Sequence, residues 1–182
     1  MPTEPYALCP MPMSTSSFAR KAIVAMYLDR VKNQLIELKL IRQDELVGCT
    51  RDEVMAIEQQ LGISLPRAYQ EFLLSMGRSA GQFLRGSDCF LNHIPQLQEW
   101  AVELLQENNF AESLPEDAFI FLMHQGYQFS FFRVSEGADP PTYSYCEGNN
   151  QISFIKSHES FSEFLVTEVE IHAKYLMAVA SK

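Results

Sequence analysis

The chain lacks the features by which secreted, membrane-spanning and disulfide-stabilised proteins are usually recognised. Its four cysteines lie far apart without a CxxC pair, and no Asn-x-Ser/Thr glycosylation site occurs. No apolar run approaches the roughly 20 residues that span a bilayer. The first 17 residues also lack the basic-then-apolar pattern of a secretory signal. We therefore expect a cytoplasmic protein with residues 1–17 as a flexible tail, followed by a single domain over residues 18–182.

Basic residues are scarce in the second half of the chain. Residues 1–85 contain ten Lys or Arg against nine Asp or Glu, whereas residues 86–182 contain four against fourteen. The net charge of −9 disfavours nucleic acid and anionic membranes as partners, because both bind basic surfaces. The acidic half is then either a solvated surface that aids solubility or a docking surface for a basic protein.

Residues suited to metal or nucleophilic chemistry are scattered. Cys89 and His93 lie four residues apart, but two ligands do not make a metal site, so we predict neither a metal nor a cofactor. There is no Gly-x-Ser-x-Gly motif and no phosphate-binding glycine loop. Cys89 with His124 or His93 is a conceivable nucleophile and base, although packing of a buried cysteine is the interpretation we favour. We expect no enzymatic activity.

Apolar spacing and capping residues predict helices before residue 110. A stripe predicts a helix over residues 18–41; its members are Val24, Leu28, Val31, Leu35 and Leu38. Thr50 and Glu53 form a capping box that begins a second helix, which Gly62 ends in the left-handed conformation. A third helix has Pro66 in its first turn and stops at Gly77. A fourth covers residues 95–107, with inward-facing Leu97, Trp100, Ala101, Leu104 and Leu105.

From residue 118 the pattern changes to that of strands. Residues 118–123 are apolar on both faces, as in a central strand, and a turn over 124–126 leads into a strand over 127–132. Tyr127, Phe129 and Phe131 are predicted to share one face of that strand. Further strands are predicted over 142–146 and 152–155, before a second capping box, Ser160 with Glu163, begins a C-terminal helix. This order predicts an α+β fold with a mainly antiparallel sheet.

Acidic residues recur at helical spacing in the fourth predicted helix. Glu99, Glu103 and Glu107 are four residues apart and form a ridge, although like charges at this spacing destabilise a helix by a few tenths of a kcal/mol per pair. The negative run continues beyond the helix. The ridge is either a solvated face or a surface that steers a basic protein partner. The candidate partner-binding residues are therefore Glu99, Glu103, Glu107, Glu112, Glu116 and Asp117.

Residues 50–74 resemble the opening of the Smi/Knr-type branch of the SUKH superfamily. The pattern is a capped helix, a Leu-Gly, a Leu-Pro, and then a Tyr and a Phe-Leu on the next helix; here these are Leu61, Gly62, Leu65, Pro66, Tyr69, Phe72 and Leu73. The usual Asn-Gly at the helix end is replaced by Met76-Gly77. A later hairpin containing Gly126 and Tyr127 resembles the family's strands, so the resemblance covers about residues 50–166. The first predicted helix lies outside it.

The resemblance implies a non-enzymatic α+β domain used for protein recognition. Bacterial members of the family are widely associated with immunity to polymorphic toxins, often nucleases, and fungal relatives act as cell-wall assembly regulators. We therefore hypothesise an immunity-type protein that neutralises a basic toxin by direct binding. The alternative is a regulatory scaffold or adaptor that binds a cellular protein without inhibiting it. Neither the residues nor the resemblance predicts an oligomeric state.

Overall fold

The structure, a computed structural model, describes residues 27–180 and the side chains of residues 27–178. Its α-helices are α1 (Asp29–Glu37), α2 (Arg51–Leu61), α3 (Arg67–Met76), α4 (Ile94–Glu107) and α5 (Phe161–Ala180). Its strands are β1 (Leu46–Val47), β2 (Ser79–Ala80), β3 (Ser87–Asp88), β4 (Ala118–His124), β5 (Gln128–Arg133), β6 (Thr142–Cys146) and β7 (Ile155–His158). Single-turn 3₁₀ helices cover Gln43–Glu45, Leu91–His93 and Val134–Glu136.

The main sheet is antiparallel throughout. Its five strands follow the order β3-β4-β5-β6-β7, and β1 and β2 form a separate antiparallel pair. Helices precede the sheet and a helix follows it, which confirms the predicted α+β class. The short strand β3 forms one edge of the sheet, where Ser87 pairs with His124 and Asp88 pairs with Met123.

The main sheet is covered by helices on both faces. On one face α4 packs on the strands in a core formed by Leu97, Ala101, Leu104, Leu105, Ile120, Met123, Phe129, Phe131 and Tyr145. On the other face α1, α2, α3 and α5 form a larger core with strand residues that include Phe119, Phe121 and Phe132. At the centre of the larger core, the ring of Tyr69 lies within 6.5 Å of five phenylalanine rings. The sheet therefore separates two apolar cores.

An irregularity in β4 allows both cores to take side chains from one strand. The register against β5 shifts between Ile120 and Leu122. Phe121 and Leu122, adjacent in sequence, both pack in the larger core, whereas Ile120 and Met123 pack beneath α4. A bulge of this kind re-aims the side chains that follow it. The predicted burial of both faces of this strand is confirmed.

Local signals explain where α2 and α3 begin and end. The Thr50 hydroxyl accepts a hydrogen bond from Glu53 N at 3.3 Å, and the Glu53 carboxylate accepts from Thr50 N at 2.8 Å, so the capping box is confirmed. Gly62 ends α2 with a left-handed φ of 66°. Pro66 lies one residue before the first residue of α3 rather than within its first turn. Beyond α3, Gly77 keeps a right-handed conformation.

The helix predicted over residues 18–41 lies partly outside the described residues, as do Val24 and the tail predicted over 1–17. Its described part, α1, ends at Glu37. Leu28, Val31 and Leu35 are buried, as predicted. The predicted burial of Leu38 is wrong, because the helix has ended before it and Lys39 turns the chain with a φ of 54°.

The last predicted strand, over residues 152–155, is also wrong in position. The Gln151 side chain occupies the place of a pairing strand: its amide nitrogen donates to the Ser144 carbonyl at 2.8 Å, and its amide oxygen accepts from Cys146 N at 3.2 Å. Backbone pairing with β6 therefore begins later, and β7 starts at Ile155. Ile152 is left exposed.

Two other predictions change in detail. Gln125 and Gly126 both have positive φ, which gives a tight hairpin turn, and β5 begins only at Gln128. Tyr127 therefore lies in the turn, exposed, and does not share the buried face of Phe129 and Phe131. At the start of α5, the Ser160 hydroxyl accepts from Glu163 N, as the predicted capping box requires. The Glu163 carboxylate, however, accepts from the backbone N–H of Glu159 rather than from that of Ser160.

A helix that crosses a bilayer needs about 20 consecutive, mainly apolar residues. Between residues 27 and 180, no helix combines the length and the apolar character needed to cross a bilayer.

Candidate protein-binding surface

Helix α4 presents the predicted acidic ridge because its opposite side is fixed to the sheet. Its buried stripe packs into the smaller core. In addition, the Gln98 amide forms two hydrogen bonds with the backbone of Ile120, donating to its carbonyl at 2.8 Å and accepting from its N–H at 2.9 Å. These bonds fix the rotation of α4 about its axis. Glu99, Glu103 and Glu107 then face solvent and form no hydrogen bond or ion pair with another described residue.

The prediction that Trp100 faces inward is wrong. The Trp100 side chain is 37% exposed. At 100° per residue, Trp100 is turned roughly 90° from the centre of the buried stripe, which places it beside the glutamate ridge. Its apolar ring therefore borders a row of carboxylates on the surface. Trp100 is the single tryptophan of the chain.

A depression lies between α4 and the turn that joins β4 to β5. Its volume is about 330 Å³, and it is lined by Asp88, Trp100, Glu103, Leu104, Glu107, Met123 and Gly126. We call it the acidic cleft. Three of its lining residues are carboxylates, and no Lys or Arg within the described part of the chain lines it. Asp88, on β3, lies close to α4 because it pairs with Met123 of β4. Its Oδ1 is 3.2 Å from Nδ1 of His93.

The geometry of the acidic cleft suits a cationic side chain. A guanidinium or ammonium group forms its strongest hydrogen bonds with carboxylates. Its positive charge is also attracted to the face of an indole ring, by about 0.5–1 kcal/mol at an exposed site. The acidic cleft brings three carboxylates and an indole ring together within one concave surface. An arginine or lysine side chain fits this combination.

The structure separates the six predicted acidic residues into three groups. Glu103 and Glu107 line the acidic cleft, and Glu99 continues the ridge beyond it. Glu116 is exposed and unpaired with any described residue. Glu112 and Asp117 have structural contacts instead. The Glu112 carboxylate accepts from Phe154 N at 2.6 Å and so joins the loop after α4 to the segment before β7.

Asp117 fixes the end of β5. Its carboxylate accepts hydrogen bonds from the Ser135 hydroxyl and backbone, and from Nε of Arg133 at 2.8 Å. The Ser135 hydroxyl, together with the Arg133 guanidinium, lowers the pKa of Asp117 to about 2. Arg133 is the only basic residue between Arg85 and Lys156. Because Asp117 already pairs with it, Arg133 does little to offset the negative charge of the acidic cleft.

Cys89 does not form a catalytic pair with either histidine. Its side chain is 1% exposed, and burial raises the pKa of the thiol to about 12. His124 Nδ1 hydrogen-bonds the Ser87 hydroxyl at 2.9 Å, and His93 contacts Asp88. Cys49, Cys89 and Cys146 are free thiols. In the region that the structure describes, no group of three or more His, Cys, Asp or Glu side chains is arranged to hold a metal ion.

Two residues of this surface, Asp88 and Trp100, are not among the binding residues predicted from the sequence. Nothing local to Asp88 marks it as part of the same site as α4, because only the pairing of β3 with β4 brings it there. Trp100 was recognisable as the one residue of its helix that is both aromatic and adjacent to the ridge. Helical angles, rather than spacing alone, separate it from the buried stripe.

Comparison with protein families gives a match. The model of the SMI1 / KNR4 family (SUKH-1) matches residues 48–167, which include α2 to α4 and the whole main sheet. No curated protein is significantly similar to the chain. The matched segment begins just before the Thr50 cap and contains the Leu-Gly, Leu-Pro and Tyr positions described above. The chain therefore belongs to the SMI1/KNR4 family (SUKH-1).

Proposed function

We propose that this chain is a non-enzymatic protein-binding domain whose acidic cleft receives a basic side chain of its partner. The observation that supports this proposal most is the combination of Asp88, Glu103 and Glu107 with the exposed ring of Trp100 in one depression. Aromatic residues that are half-exposed beside charged groups are typical anchors of protein interfaces. A solvated acidic face needs neither the concavity nor the tryptophan.

The charge distribution favours a basic partner over a neutral one. The carboxylates of the glutamate ridge form no ion pair with any described residue, and no basic residue lies in the last turn of α4, so their fields add. Such a field accelerates the approach of a positively charged protein and suppresses encounters with acidic ones. Because the Debye length is about 8 Å at physiological ionic strength, this attraction acts over the last few ångströms of approach and weakens with salt.

The proposed partner is a toxin that the chain neutralises by covering its active site. Membership of the SMI1/KNR4 family fits a binding or immunity-type role. A nuclease presents a basic surface to its polyanionic substrate. An acidic domain bound to that surface competes directly with nucleic acid. Binding of a cellular protein as a regulatory scaffold remains the second candidate, supported by the same family membership.

A role without catalysis is consistent with the state of Cys89. Nucleophilic catalysis needs a thiolate that a substrate reaches. Since burial raises the pKa of Cys89 to about 12, its thiolate is a minute fraction at neutral pH. The 1% exposure of its side chain also leaves no path to it from the surface.

Co-expression with the protein encoded beside this gene tests the proposal. We expect the two proteins to copurify, their affinity to fall with rising salt, and cells that express the neighbouring protein to survive only with this chain present. Reversing both cleft glutamates, Glu103→Lys with Glu107→Lys, should weaken binding at least about 100-fold, since close interfacial charge pairs are worth about 1.5 kcal/mol or more each. Binding should also change the fluorescence of Trp100.

Glu37→Lys with Glu147→Lys is the matched control. Both residues are exposed and lie outside the acidic cleft, and the double reversal changes the net charge equally. If the two double variants lose affinity to the same extent, net charge rather than the acidic cleft governs binding, and the proposed surface is wrong. Copurification without any protection from toxicity supports the scaffold instead.

A further inference from the structure

A second depression lies on the opposite face of the sheet edge that bears the acidic cleft. It has a volume of about 770 Å³ and runs between α5 and the segment of residues 82–87. Its apolar lining residues are Leu40, Leu84, Ile171, Tyr175 and Leu176. We call it the α5 groove. Ser87 and His124 line the α5 groove, whereas Asp88 and Met123, their neighbours along β3 and β4, line the acidic cleft. The two depressions therefore flank the same pair of strands.

Two large apolar side chains that line the α5 groove are exposed. Ile171 is 53% exposed and Tyr175 is 65% exposed. Both lie on α5, which buries Phe161, Phe164 and Leu165 on its other side. Ile171 and Tyr175 are four residues apart and therefore neighbours along one side of α5. Leu84, a buried residue that lines the α5 groove, adopts a left-handed φ of 58°, a strained conformation for leucine. Exposed apolar surface of this kind marks interaction sites.

Glu168 gives the α5 groove a specific chemistry. It lies one helical turn before Ile171, is largely buried, and forms no hydrogen bond or ion pair with any residue of the described part. Burial raises the pKa of its carboxyl. Arg85, the one Lys or Arg that lines the α5 groove within residues 27–178, donates to the Gln82 amide oxygen at 2.6 Å instead. Glu168 is thus a largely buried carboxylate that has no cationic partner among the described residues and lies beside the apolar side chains of the α5 groove.

An uncompensated carboxylate is most stabilised by a cation that arrives with its own apolar neighbours. A lysine or arginine alone would leave Ile171 and Tyr175 in water, and an apolar segment alone would bury Glu168 without a partner, which is costly. The two histidines offer no substitute. His172 packs edge-on against Phe83, with its pKa lowered by burial, and His124 is hydrogen-bonded to Ser87.

We propose that the α5 groove binds an apolar segment of a protein partner that carries one lysine or arginine, which pairs with Glu168. The inference rests on the proposed function only in assigning both depressions to the same partner. A partner that straddles β3 would place a basic side chain in the acidic cleft and the apolar segment in the α5 groove. The two contacts differ in kind. The acidic cleft is polar and salt-sensitive, whereas the α5 groove gains most from apolar burial.

Three fluorescein-labelled peptides test the α5 groove in the full-length protein by fluorescence anisotropy. The first has one arginine flanked by leucines, the second replaces the arginine with glutamine, and the third replaces the leucines with serines. We expect the first to bind at least about tenfold more tightly than either of the others. Glu168→Gln should abolish the preference for arginine over glutamine, and Tyr175→Ser should weaken both leucine-containing peptides.

The controls separate this inference from the proposed function. Glu103→Lys with Glu107→Lys should leave the preference for arginine unchanged, so a loss there would mean that the peptides bind the acidic cleft and would overturn the α5 groove. Equal binding of the arginine and glutamine peptides to the unaltered protein would also overturn it. So would sedimentation of the protein as a dimer that Tyr175→Ser dissociates, since a second copy would then cover the α5 groove. None of these results affects copurification through the acidic cleft.

Discussion

Replacing Tyr69 with phenylalanine should stabilise the protein. The Tyr69 side chain is 0% exposed, and its hydroxyl makes no hydrogen bond with any described residue. Burial, followed by the nearby thiols of Cys89 and Cys49, raises the pKa of this hydroxyl well above its usual range, so it stays protonated. The hydroxyl has lost its water without gaining a partner. The five phenylalanine rings around it favour an apolar replacement.

The size of the stabilisation expected for Tyr69→Phe follows from two opposing contributions. A buried polar group without a partner costs about 1–3 kcal/mol. Removing the oxygen also loses a few dispersion contacts of about 0.1–0.2 kcal/mol each. The expected net effect of Tyr69→Phe is an increase of about 1 kcal/mol in the free energy of unfolding. For a domain of this size, that corresponds to a rise in Tm of about 2–4 °C.

Urea unfolding at pH 7, followed both by far-UV circular dichroism and by Trp100 fluorescence, measures this change. The midpoint should rise while the slope stays constant, since the surface exposed on unfolding is the same. Tyr175→Phe, at a tyrosine that is 65% exposed, is the control and should shift stability by less than about 0.5 kcal/mol. A loss of more than about 0.5 kcal/mol in Tyr69→Phe would refute the reasoning, because it would mean that the hydroxyl has a stabilising partner.

Two further substitutions test how the surface is supported. Asp117→Asn should lower the free energy of unfolding by about 1 kcal/mol at pH 7, with solvent screening part of the contact with Arg133. Because the folded pKa of Asp117, about 2, lies below its unfolded value, this contribution is complete above about pH 5 and disappears as the pH falls towards 2. Urea unfolding near neutral pH and again towards pH 2 should therefore show that the difference in free energy of unfolding between the variant and the unaltered protein shrinks at low pH. Gly48→Ala should destabilise by at least about 3 kcal/mol, because its Cβ would lie only 1.9 Å from the Leu74 carbonyl oxygen. Gly62→Ala, with open space but a φ of 66°, should cost only about 1 kcal/mol in the same denaturation assay, and equal losses at the two glycines would contradict this account.

The parts of the fold that were predictable from sequence depend on neighbours in the chain. The cap at Thr50 needs only Glu53, the end of α2 needs only Gly62, and the central position of β4 follows from its uninterrupted apolar residues. Each of these signals is complete within a few residues. The α+β class follows from their order.

The parts that were not predictable depend on contacts between distant segments. The delayed start of β7 results from one side chain, Gln151, taking over backbone hydrogen bonds of β6. The two-residue strand β3 has too few residues to show a period, yet its register against β4 decides that Asp88 joins the acidic cleft. Gly48 is required by its approach to α3, which the surrounding residues do not reveal.

In the candidate site, too, local spacing was predictable from sequence and contacts between distant segments were not. Spacing alone identified Glu103 and Glu107 as neighbours, because one helix carries both. It could not separate them from Glu112 and Asp117, whose carboxylates accept hydrogen bonds from Phe154 and Arg133. Charge was visible in the sequence, but whether each charge already had a partner was visible only in the fold.

The attachment of α4 by one side has a consequence for how this domain changes over evolutionary time. Its inner side and Gln98 carry the contacts that hold it to the sheet. Glu99, Glu103 and Glu107 on the outer side support no other described residue. Substitutions there leave the packing of both cores intact. If this outer side binds a partner as proposed above, selection can therefore exchange it for one that fits a new partner, residue by residue, without passing through unstable intermediates.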